Sequence, residues 1–139
     1  MAEAVARREV ERRGWRHVEV ASAGIAAAGG APASQGALNA GRSHGLDLSD
    51  HRSTPLTAEA VADADVILTM SARHRRVAEE LGGRGRTYVL SAFAHGDSSS
   101  DVDISDPFGG DDTVYSETLD VIEELVIASF QRLEDVVAP

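Results

Sequence analysis

Residues Asp65 to Met70 (DVILTM) form an unbroken apolar run with β-branched members. A strand that is apolar on both faces must be covered on both, the condition of a strand inside a parallel sheet flanked by helices. The rest of the chain reads as segments that supply such layers. Residues 2–13 predict a helix, stopped by Gly14, with a narrow stripe of Ala2, Val5, Ala6 and Val10. Arg7, Arg8, Glu11 and Arg12 read as solvated charges on its other face. His17 to Ala23 (HVEVASA) alternates and predicts a strand ending at Gly24, followed by a small-residue loop over 25–31.

Pro32 suits a helix entry and Gly45 a helix stop, so 33–44 is read as a helix. Residues 46–56 look irregular. Thr57 is placed to cap a short helix to Asp63, and Ser71 a helix over 72–81 that ends at Gly82-Gly83. Thr87 to Leu90 reads as a third strand and 94–105 as an acidic, serine-rich loop. From Tyr115, the apolar residues Leu119, Ile122, Val126, Phe130, Leu133 and Val137 follow at close to the helical period of about 3.6. There is no internal repeat and no dividing linker, so 1–139 is one domain. Strands alternating with helices predict an α/β fold of three layers, a parallel sheet with helices on both faces. Such folds ordinarily begin with a strand; this chain begins in a helix.

Composition removes several chemistries. All 13 positive residues are Arg, so there is no Lys for a P-loop, a Schiff base or a general base. There is no Cys, which excludes disulfides, Cys-ligated zinc, iron–sulfur clusters and a thiol nucleophile within these residues. A net charge of −10 argues against nucleic acid and anionic membranes as partners. The first residues lack a signal-peptide pattern, and no apolar run reaches the ~18 residues of a membrane span. A cytoplasmic location is expected.

The sharpest local motif is Asp106-Pro107-Phe108-Gly109-Gly110. Pro107 fixes its own backbone and pushes Asp106 toward extended geometry. Phe108 offers an apolar wall that would suit a carboxyl acting as a proton donor; the same residues also make an ordinary turn. Ser22-Ala23-Gly24 closes the first predicted strand, at the strand end where α/β ligand sites gather. His17, His44, His51, His74 and His95 lack metal-ligand spacing and read as structural or surface residues, with His44 beside a helix end. Asp97, Asp101 and Asp103 are a candidate for a divalent cation, but lack the spacing of a calcium loop and read first as solvated. Arg73, His74, Arg75 and Arg76 read as an exposed face able to touch a phosphorylated partner. No metal and no cofactor are expected.

Taken in order, these pieces resemble the low-molecular-weight protein tyrosine phosphatase family. MAEAV at 1–5 looks like the start of the helix after that family's phosphate loop, and VASAG at 20–24 like its second strand and turn. GALNAGRSHGLDLSDHRSTPLT at 36–57 is similar to its helix and irregular segment, DADVILTM at 63–70 to its third strand, and DPFGG at 106–110 to its general-acid loop. The DPFGG form with TVYSETLDVIEEL after it is most similar to the bacterial protein-arginine phosphatase branch.

The resemblance implies dephosphorylation of a phosphotyrosine or phosphoarginine protein or peptide through a phospho-cysteine. In the family a Cys attacks phosphorus while loop amides and an Arg hold the phosphate oxygens. It implies that Asp106 protonates the leaving group and then activates water, and that Ser22 supports the phosphate loop, with Pro107 and Phe108 shaping the acid's turn. The family's first strand and C-x5-R-S loop belong immediately before position 1. The domain is therefore expected to be N-terminally incomplete, its first strand missing, and inactive as written, with no nucleophile. Three readings follow: a phosphatase whose sequence starts at an internal Met, a pseudo-phosphatase acting as a binding or regulatory module, or a bare structural domain. In the family's 2-1-3-4 sheet order, strands 17–23 and 65–70 flank the first strand. The isolated chain is thus expected to leave 17–23 split from the sheet or re-paired, and a strand-swapped oligomer is possible.

Overall fold

The buried stripe of the C-terminal helix is the surface on which three other helices are laid. The computed structural model describes residues 1–96 and 102–137, apart from the side chains of 135 and 137. Asp97, Asp101 and the Val137 side chain, singled out from the sequence, lie outside the described residues. The elements in order are α1 (Ala2–Arg13), α2 (Gln35–Ser43), α3 (Ala58–Asp63), β1 (Ile67–Thr69), α4 (Ala72–Ala78), a π-helical turn (Glu79–Gly83), β2 (Thr87–Val89), α5 (Leu90–His95) and α6 (Asp112–Val137).

On α6, Tyr115, Leu119, Ile122, Val126 and Phe130 are all buried, as the period predicts. Helices α1, α2 and α5 pack against them. Trp15, just past α1, stacks on Phe130 with ring centroids 5.6 Å apart and planes 10° from parallel. Val5 of α1 is fully buried in the same cluster, with Ala2, Ala6 and Val10 beside it. Where α2 meets the first turn of α6, Gly36 lies so close to Tyr115 that a Cβ would overlap the ring.

The caps follow the sequence closely. Gly14 (φ +68°) ends α1, and the Thr57 and Ser71 hydroxyls accept from Ala60 N–H (3.1 Å) and His74 N–H (3.2 Å). Helix α2 starts differently. Ser34 is its cap, accepting from Ala37 N–H at 3.4 Å, while Pro32 is drawn into an antiparallel bridge with Arg52. Helix α6 starts three residues earlier than the period suggests, because the Asp111 carboxylate accepts from Val114 N–H at 3.0 Å.

Strands β1 and β2 pair in parallel, Ile67 with Thr87, Leu68 with Tyr88 and Thr69 with Val89. Alternate residues serve opposite faces. Leu68 packs toward the α1–α6 cluster, while Thr87 Oγ1 donates to Gly83 O of the π-helical turn at 2.7 Å. The fold is therefore α/β, a parallel sheet between helices.

Two strand expectations change. The run 65–70 shortens to three ladder residues. It is not buried on both faces: Val66 is 40 % exposed, and Ile67 and Leu68 are half-buried. Among the described residues the sheet has two strands, so β1 is paired along one edge only. The segment 17–23 forms no ladder at all. Its alternation survives in the side chains, since Val18 and Val20 are half-buried between exposed neighbours. A strand also needs a second backbone, however. This one is held instead by Arg7 Nη2 donating to Val20 O (3.0 Å) and by a single bridge from Gly24 to Pro55. Helix α5, unexpected from the sequence, follows β2 without a break.

Candidate functional site

Three consecutive residues fix the approach to the DPFGG turn. Ser91 of α5, almost fully buried, both donates to Val102 O (2.8 Å) and accepts from Val102 N–H (2.9 Å). The Asp103 carboxylate accepts from Ala72 N–H at the start of α4 (2.9 Å). Ile104 N–H donates to Met70 O, one residue past β1, at 2.8 Å. The chain thus reaches Asp106 from an anchor at the C-terminal end of the parallel sheet, where ligand sites of such folds gather.

Asp106, Pro107 and Phe108 share one turn. Phe108 N–H donates to Asp106 Oδ1 at 3.0 Å. Gly110 N–H donates to Pro107 O at 2.8 Å, with Gly109 at φ +84°, a conformation that glycine adopts cheaply. Asp106 is exposed, and its carboxylate is oriented by its own turn. Phe108, expected to offer Asp106 an apolar wall, is itself 80 % exposed.

Ser22 belongs to a different loop. Its hydroxyl donates to Glu3 Oε1 at 2.9 Å, in the first turn of α1. The other Glu3 oxygen takes Arg7 Nε at 3.3 Å and has His51 Nδ1 at 3.9 Å. A carboxylate at a helix N-terminus is favourable with the exposed amides there. Glu3 is not singled out by the sequence, although an acid in the first turn of a helix is itself a signal, and His51 reads there only as a structural or surface residue.

Other sequence candidates resolve into structure. Asp103, read as a possible cation ligand, spends an oxygen on the α4 backbone; among the described residues no group of three His, Asp or Glu is placed to hold a metal. Arg8, read as solvated, is half-buried and joins His44 O (3.2 Å) to Glu123 Oε2 (2.6 Å). His44, read as a helix-end residue, closes α2 and reaches Asp120 of α6. Asp120 holds its pKa above the ordinary histidine value; partial burial opposes this. Arg73 and Arg76 are exposed on α4, while Arg75 pairs with Glu79 at 3.6 Å. Among the described residues no helix is long and apolar enough to cross a membrane.

The geometry is that of a parallel α/β sheet with an aspartate turn anchored at its carboxyl end, and comparison with known proteins assigns it to a family. Residues 1–138 match the family described as low molecular weight phosphotyrosine protein phosphatase. The protein-arginine-phosphatase of Bacillus subtilis (strain 168) is 36 % identical over 128 residues, 91 % of this chain and 82 % of that protein. A probable low molecular weight protein-tyrosine-phosphatase, EpsP, of Ralstonia nicotianae is 35 % identical over 116 residues, 84 % of this chain and 77 % of that protein. Among solved structures, a YwlE arginine phosphatase mutant with a phosphorylated active-site serine superposes with a TM-score of 0.87 at 34 % identity, covering 96 % of this chain and 86 % of that one. The chain belongs to the low molecular weight protein phosphatase family.

Proposed function

We propose that this chain provides the acid–base half of a phosphatase site for proteins phosphorylated on tyrosine or arginine, and that the 139 residues alone do not turn over. The observation that carries the reading is the Asp106 turn, exposed at the carboxyl end of the sheet and fixed there through Ile104 N–H to Met70 O (2.8 Å). In a complete site a thiolate attacks phosphorus, and the P–O or P–N bond to the leaving group breaks. Asp106 gives that group its proton, then takes one from the water that frees the phospho-cysteine. The thiolate must come from outside these residues, which contain no Cys.

The test is a chimera in which the first strand and C-x5-R-S loop of the Bacillus subtilis relative precede Met1. Turnover of phosphotyrosine or phosphoarginine peptides is expected, and Asp106→Asn should lower kcat by about 10²–10⁴-fold. A folded chimera with no turnover, or one indifferent to Asp106→Asn, would refute the assignment.

Glu3 favours a second reading, a pseudo-phosphatase that binds or regulates without hydrolysis. Its carboxylate already sits at the α1 N-terminus and already holds Ser22, the residue assigned to support a phosphate loop. A fixed negative charge there opposes a second anion. Under this reading, Glu3→Gln raises the affinity of the chimera for inorganic phosphate; unchanged affinity removes its support.

A further inference from the structure

Helix α6 carries a second apolar stripe beside the one that faces the core. Val114, Thr118, Val121 and Leu125 recur at steps of four, three and four, the spacing of a coiled-coil seam. Leu125 is buried at the floor, whereas Val114 and Val121 are 42 % and 45 % exposed. Across from them stand Val102, 65 % exposed, and half-buried Ile104, on the segment that leads to Asp106. Between the two walls, among the described residues, lies an open groove of about 620 Å³, lined mostly by apolar surface. Exposed apolar side chains gathered along one groove suit the apolar face of a complementary helix.

The charges along the groove identify its occupant. Glu117 and Glu124, seven residues apart, line the same stripe, and both are exposed. No hydrogen bond or ion pair engages either carboxylate among the described residues. In a two-stranded seam such flanking positions choose the partner by charge. From Val114 to Leu125 the seam runs about 16 Å, three helical turns. A two-fold contact between copies of this chain would set these acids against their own equivalents, in a protein of net charge −10.

We infer that this groove docks an amphipathic helix of a partner protein, with leucine-like residues along the seam and arginine or lysine beside Glu117 and Glu124. The inference stands apart from the phosphatase reading and does not depend on a nucleophile.

The test uses the 139-residue chain and two synthetic 14-residue helical peptides. Both have Leu at seam positions; one carries Arg at the flanking positions, the other Glu. Fluorescence anisotropy is expected to show saturable binding of the Arg peptide, at least about tenfold tighter than the Glu peptide and weakened by salt. Val121→Gln, a neutral change at a surface position, should weaken the Arg peptide by about tenfold or more. The pair Glu117→Arg and Glu124→Arg should reverse the preference, and an unchanged thermal melt shows that each variant is folded. Absence of saturable binding overturns the inference. So does binding indifferent to Val121→Gln, which would be charge attraction alone. A dimer in sedimentation that Val121→Gln disperses would also overturn it, by showing a second copy in the groove.

Discussion

His44 and Asp120 tie the end of α2 to the middle of α6: Nε2 of the imidazole lies 2.5 Å from the Asp120 carboxylate. On its other side, Nδ1 faces Ala40 O at 2.9 Å. Two acceptors on one ring are both satisfied only when both nitrogens carry hydrogen, the charged imidazolium.

The histidine pKa is therefore raised on folding, first by the hydrogen bond to Asp120, with Ala40 O and Glu123 adding to it against desolvation. A raised folded value gives stability that is complete below the unfolded pKa of about 6.5 and is lost as pH climbs through the folded value. Because Asp120 is 66 % exposed, solvent screening keeps the contribution to about 1 kcal/mol or less. Thermal melts from pH 6 to 9 should show this decline, and Asp120→Asn should flatten it. A wild-type profile no steeper than that of Asp120→Asn would contradict the linkage.

Gly36→Ala separates propensity from packing. Within a helix, alanine is favoured over glycine by about 1 kcal/mol. At this position the new methyl overlaps the Tyr115 ring, which Ser34 Oγ also contacts at Tyr115 Oη (3.1 Å). Overpacking costs about 1–3 kcal/mol and should win, lowering the urea midpoint. A higher midpoint would mean that the ring moves freely.

Leu119 is fully buried at the centre of the α6 stripe. Leu119→Ala should cost about 2–5 kcal/mol, a large part of the ~5–15 kcal/mol that holds a domain of this size. Val121→Ala, two residues on and exposed, should cost well under 1 kcal/mol. Equal losses in denaturant unfolding would show that α6 packs with another face inward.

The helices were legible because their signals are local. Thr57, Ser71 and Gly14 act within four residues of themselves, and the Tyr115–Phe130 stripe needs only a period. Strands were less legible, because a ladder is a property of two backbones. HVEVASA has the pattern of a strand and none of its pairing, whereas TYV over 87–89 has both. Of the site, the Asp106 turn was visible in five residues. Its anchors were not: Ser91 to Val102 and Asp103 to Ala72 join positions 11 and 31 apart that carry no distinguishing pattern. Glu3, the partner of Ser22, read only as one more acid in an Ala-, Glu- and Arg-rich helix.

These residues form a low molecular weight phosphatase scaffold that contains no Cys, and we propose that Asp106 is its acid and that the scaffold alone does not turn over. Steady-state hydrolysis of p-nitrophenyl phosphate, a phosphotyrosine peptide and a phosphoarginine peptide by the purified 139-residue chain tests it most directly, with the Bacillus subtilis relative assayed in parallel. Loss of a covalent nucleophile typically costs about 10⁶-fold, so the rate should be indistinguishable from the blank. Turnover within about tenfold of the relative, in a chain without cysteine, would show that another residue serves as nucleophile and that the proposed inactivity is wrong.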